Sequence, residues 1–266
     1  MRAARKFACR KDAYSMNPDQ NETSLEPFIH SLGRTTRVID LSQSLGPGIP
    51  VFPGFPDPRF EGMLSQAKGD VANVEILHFV PHSGTHMDAP YHFFSNLRHV
   101  DELPIDCLIG PGIVVDLSAK KGCVAIQAAD ILAWEDAAGE TIQAGDIVLL
   151  RTDHYQTWKL GPDGEAFWKD GWPYLAHCAV EYLAGKHIKA LGVETFSPDM
   201  ELPAGGAPVD RSSHHTFLSK GILVMECLAH LDEIPAPRCL VIALPLKLAG
   251  GSGSPVRVVA MVNMPA

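Results

Sequence analysis

The stretch His82-Ser83-Gly84-Thr85-His86-Met87-Asp88-Ala89-Pro90-Tyr91-His92 places three imidazoles and one carboxylate within eleven positions. Each of these side chains can bind a divalent cation. Nitrogen and oxygen donors without thiolates suit Zn²⁺, Mn²⁺ or Fe²⁺ better than Mg²⁺. Structural zinc sites favour cysteine, so this donor set points instead to an open catalytic position. His214 and Glu226 form a second candidate pair. A helix from His214 to Lys220 advances roughly 9 Å, and four strand residues after Gly221 cover roughly 13 Å. A strand doubling back at Gly221 would therefore bring the two side chains together. Glu226 is the only charged residue between Ile222 and Leu231, a costly placement unless it is paired or bound to a cation. The alternatives are that Glu226 faces solvent from an edge strand and that His215 takes the place of His214.

Gly84 and the Ala89-Pro90 break argue that residues 82–92 form a loop, mounted on a strand over Glu75–Val80. Residues 47–56, rich in Pro and Gly, form an extended loop whose Phe52 and Phe55 are candidate walls of a substrate pocket. Apolar runs predict strands at 37–41, 112–117, 146–151, 189–193, 222–228, 240–244 and 256–262. Helices are expected at 127–133, at 173–184 with Pro173 in the first turn and Gly185 beyond the end, and from Ser212 to Lys220 with Gly221 as a left-handed cap. Strands that alternate with some helices give an α/β or α+β fold with a mixed sheet. Asp153-His154 and Glu194 to Asp199 lie at strand ends and read as polar loop residues. The chain has neither a G-x-S-x-G elbow nor a Walker loop.

With 266 residues, 46% of them hydrophobic, the chain can bury the core of one sizeable domain, taken as 36–266, preceded by a polar N-terminal arm over 1–35. A net charge of −9 disfavours nucleic acid and anionic membranes as partners and leaves a small-molecule substrate. The six cysteines include no C-x-x-C and read as thiols of a reducing, cytoplasmic compartment.

The 82–92 stretch resembles the H-x-G-T-H-x-D-A-P-x-H signature of the metal-dependent cyclase family, which includes bacterial kynurenine formamidases and isatin hydrolases. Further likeness lies in Val38-Ile39-Asp40-Leu41-Ser42, Pro53-Gly54, the His214 to Glu226 segment, and Leu244-Pro245-Leu246-Lys247-Leu248 through Arg257. The resemblance implies a swivelling β/β/α-type fold, a homodimer or homotetramer, and a hydrolytic centre of one or two Zn²⁺ or Mn²⁺ ions. It implies that His82, His86 and Asp88 bind a first metal, that His214 and Glu226 complete a second site sharing Asp88, and that His92 is the acid/base residue. The activity to expect is arylformamidase-like cleavage of an amide C–N bond. Cyclic-amide or lactone hydrolysis, and a non-catalytic metal-binding scaffold, are the alternatives.

Overall fold

The computed structural model describes residues 36–169, 171–200 and 211–263. The N-terminal arm lies outside the described residues. Aliphatic runs form β1 (Thr36–Asp40), β2 (Arg59–Leu64), β3 (Val74–His78), β4 (His86–Asp88), β5 (Ile109–Asp116), β6 (Ala125–Ile126), β7 (Ile147–Arg151) and β8 (Tyr174–Leu175). They continue with β9 (Ala190–Val193), β10 (Leu223–Glu226), β11 (Arg238–Pro245) and β12 (Gly253–Asn263). Among the described residues three α-helices, α1 (Ala128–Ala138), α2 (His177–Gly185) and α3 (Ser212–Ser219), lie between the strands of the second half.

The main sheet runs β1-β12-β11-β5-β7-β9-β10-β4, and β4 also pairs with β12, so the sheet closes into a barrel. β5, β7, β9 and β10 are parallel neighbours. Their crossovers carry α1, α2 and α3, as parallel connections require. The remaining barrel pairings are antiparallel, giving the mixed sheet expected of the sequence.

Strand alternation divides the apolar residues into two sets. Val114, Ile147, Leu149, Leu223 and Met225 fill the barrel with Met87, Val241 and Val258. Ile113, Val115, Val148, Leu150, Leu191 and Val224 face outward onto Ile131, Val180, Leu183 and Phe217 of the helices. Gly192 on β9 has no room for a side chain, because an added Cβ would stand 2.6 Å from Leu228 and 2.7 Å from Leu149. The barrel interior closes over its backbone.

Local sequence accounts for both ends of α1 and the C-terminal end of α3. The Gln127 N–H donates to the Asp130 carboxylate at 2.7 Å and opens α1, which Gly139 ends at φ 65. Gly221 takes φ 76 after α3, as its missing Cβ permits. The helix expected over 173–184 starts later, at His177, because Tyr174–Leu175 pairs in parallel with Ala125–Ile126. The loop reading of 82–92 also needs correction. Residues 86–88 form a strand because β10 and β12 supply hydrogen-bonding edges on both sides, followed by a 3-10 turn at Pro90–His92 that uses the proline at its start. The apolar run near 75–80 is a strand only over 74–78, and it pairs with β2 in an exposed hairpin rather than carrying the site.

Candidate metal centre

The period of two along β4 points His86 and Asp88 to one face and sends Met87, fully buried, into the barrel. Register then sets Glu226 of β10 opposite His86. Cys227 turns the chain out of β10 with φ 55. Helix α3, packed on the same outer face, brings in His214, and the turn before β4 brings in His82.

These five side chains converge. His82 Nδ1 lies 2.7 Å from Asp88 Oδ1, and His86 Nε2 lies 3.2 Å from Glu226 Oε2 and 3.7 Å from Asp88 Oδ1. His214 Nε2 lies 3.2 Å from Asp88 Oδ2 and 3.1 Å from Glu226 Oε1. Two ligand-type triads result, His82-His86-Asp88 and Asp88-His214-Glu226, with Asp88 common to both. His214, rather than His215, faces the carboxylates. The His215 ring packs edge-on against Phe93 and Phe94. Glu226 is buried, so the solvent-facing alternative fails.

Each imidazole is held by its outer nitrogen. His86 Nδ1–H donates to the Gly84 carbonyl at 2.8 Å, His214 Nδ1–H donates to Asp199 at 2.6 Å, and His82 Nε2 meets Ser252 Oγ at 2.9 Å. Such outer partners fix ring orientation and leave the inner nitrogen to bind a metal. Asp88 Oδ2 and Glu226 Oε1 are buried and have no hydrogen-bond partner among the described residues. Orphaned carboxylate oxygens are expensive to bury, and a cation satisfies them. The donor set therefore fits one or two divalent ions.

Electrostatics agree with that fit. Burial pushes the His86 and His214 pKa values down, but the neighbouring carboxylates outweigh it and hold both above the ordinary value. Burial pushes Asp88 up, yet His214 and His82 hold its carboxyl well below the usual range. Protons therefore compete with metal for His86 and His214. His92 behaves differently. Burial pushes it down to about 4, with His82 and His214 adding repulsion against the pull of Asp88. It stacks on His82 at 3.9 Å and stands outside both triads, leaving a neutral imidazole beside the donor set.

The centre opens into a cleft of about 470 Å³. Phe52 packs on Phe55 and Phe196 to form one wall, and Phe93, stacked on His214, forms another. The structure thus brings Phe52 and Phe55 to the site, as their loop suggested. Phe93, Phe196, Arg211 and Asp199 are additions. Asp199 belongs to a stretch that reads as polar loop, but it orients His214 and is itself held by the Ser213 N–H at 2.8 Å. Phe93 follows His92 directly in the chain, the one signal that could have found it. Asp153 and His154 serve structure: Asp153 binds Arg151, and His154 bonds the Phe167 carbonyl.

The sequence model of the Cyclase family matches residues 39–200. The chain belongs to the Cyclase family. Its relatives include a kynurenine formamidase of Erythrobacter litoralis, 31% identical over 84% of this chain and 93% of the relative. An isatin hydrolase of Roseibium aggregatum is 32% identical over 87% of this chain and 94% of the relative. An isatin hydrolase solved with the product analogue thioisatinate superposes with a TM-score of 0.80 at 29% identity, covering 90% of this chain and 99% of that one. The barrel with helices on its outer face is thus a Cyclase-family fold.

One further buried carboxyl of this Cyclase-family chain lies apart from the cleft. Glu194 is fully buried at the end of β9, where one oxygen accepts from Thr152 N–H at 2.7 Å and the other has no hydrogen-bond partner among the described residues. Burial pushes its pKa up to about 7. Between the unfolded value and that one, the folded state holds the extra proton, so stability falls as pH rises from about 4.5 to 7. Glu194→Gln removes this slope, worth about 3 kcal/mol across the window. Urea unfolding at pH 5 and pH 8 checks it: the wild type loses stability between the two, and the variant loses markedly less.

Proposed function

We propose that this protein is a metal-dependent hydrolase that cleaves an amide-type C–N bond, with an arylformamide of the N-formylkynurenine kind as its substrate. The observation that carries this reading is the pair of triads sharing Asp88, with orphaned carboxylate oxygens, at the floor of a cleft walled by phenylalanines. A divalent cation, Zn²⁺ or Mn²⁺, held by His82, His86, Asp88, His214 and Glu226 would supply an acidified water molecule and polarise the carbonyl. The protein's own part is to fix the donors, exclude bulk water and move protons. His92, neutral at pH 7, accepts a proton at its ring nitrogen and returns it to the leaving nitrogen. Phe52 and Phe55 hold an aromatic portion by stacking.

Cyclic-amide hydrolysis is the second reading, favoured by the likeness to isatin hydrolases in both sequence and structure. Both predict activity that a chelator abolishes and Zn²⁺ or Mn²⁺ restores, with metal content measured in parallel. N-formylkynurenine against isatin separates them. A complete lack of turnover of an amide panel by metal-loaded protein would establish the scaffold alternative.

The proposal extends to a homodimer or homotetramer. The β2–β3 hairpin exposes Met63, Ile76 and Leu77, and an isolated two-stranded hairpin is marginal in water, which favours cover by a second copy. Light scattering of wild type and of Met63→Glu with Leu77→Glu checks it: the variant should be monomeric. Among the described residues no helix is long and apolar enough to cross a membrane. The five described cysteines are free, which supports a cytoplasmic home.

A further inference from the structure

Arg211 is the one lysine or arginine among the described residues lining the cleft. It is exposed, its guanidinium lies 5.8 Å from the Phe93 ring centroid, and it makes no ion pair with a carboxylate among the described residues. Elsewhere Arg37, Arg151, Arg238 and Arg257 are each tied to acids of the chain. Arg211 instead lines the cleft together with His82, His86, His214 and Glu226 of the metal centre. In a protein of net charge −9, an anionic ligand entering beside Asp88 and Glu226 needs such a counter-charge.

We propose that Arg211 is a specificity-determining residue that binds a carboxylate of the substrate. The same Phe93 ring carries His214 on it, stacked at 4.7 Å, and Arg211 over it. Arg211 and the ligand-type residue His214 therefore border the same ring in one cleft. A ligand that spans them has an aromatic body along Phe93, a hydrolysable carbonyl at one end and a carboxylate at the other. A guanidinium recognises a carboxylate through two parallel hydrogen bonds, which an ammonium cannot reproduce. This inference rests on the amide-hydrolase reading and names its substrate class: anionic aryl amides.

The test compares metal-loaded wild type, Arg211→Ala and Arg211→Lys on formanilide and on its 2-, 3- and 4-carboxylates. The wild type should prefer at least one carboxylate isomer, mainly through KM, and that preference should weaken as salt is raised. Arg211→Ala should lose roughly tenfold or more of the preference, read as the ratio of kcat/KM on the carboxylates to that on formanilide, and Arg211→Lys should recover part of it. An unchanged preference in Arg211→Ala for every isomer overturns the proposal while leaving amide hydrolysis intact. Calorimetric titration of benzoate into the same three proteins gives a readout independent of turnover. If none of the amides is turned over but Arg211→Ala weakens benzoate binding severalfold, the carboxylate site stands and the amide reading falls. Equal benzoate binding by all three proteins counts against the site.

Discussion

Asp88→Asn should leave the purified protein nearly free of metal and lower amide hydrolysis by at least about 10³-fold. Asparagine keeps the shape but gives up the charge that both triads share. The neighbouring imidazoles and Glu226 then face one another across a site with no common anionic ligand. The loss should exceed the roughly 10- to 100-fold typical of an outer partner of a metal ligand, which is the range expected for Asp199→Asn through His214. Metal analysis and turnover on the same preparations check the ranking. Circular dichroism should be unchanged, because a neutral amide is cheaper to bury than a carboxylate. Full metal content in Asp88→Asn would remove Asp88 from the ligand set.

His92→Ala should separate chemistry from metal binding. His92 stands outside both triads, so metal content should remain that of the wild type, while kcat falls by about 10²–10⁴-fold, the usual worth of a positioned acid/base group. KM should change little. Added imidazole should restore part of the rate, since the truncation leaves space beside His82, on which the native ring stacks. Near-full turnover in the metal-loaded variant would show that the proton passes elsewhere.

Much of this centre was legible in the chain because its chemistry is locally dense. Residues 82–92 hold three donors and His92, and the carboxylate of Glu226 is conspicuous in an otherwise apolar strand. The folding-back of α3 onto β10 follows from a glycine cap and element lengths. What sequence could not supply was register. Nothing in His86-Met87-Asp88 says that it pairs on both edges, because a three-residue strand is too short for its periodicity to stand out beside Gly and Pro. The same limit hid β6 and β8, two residues each, and so misplaced the start of α2. Asp199 and Arg211 escaped notice for another reason. Their roles depend on a ring brought close by the fold, and a polar residue in a loop carries no mark of what it will face.

The double pairing of β4 carries a mechanical consequence. The three residues that complete the cylinder between Glu226 and Gly253 are also the ones that present His86 and Asp88. An ion held by ligands from both β4 and β10 spans that joint like a rivet. It can bind tightly only when the joint is shut, so its affinity is added to the stability of the closed cylinder. Opening the seam would part His86 and Asp88 from Glu226, so a bound ion would favour the closed barrel, while loss of the ion alone would leave the strand pairing in place.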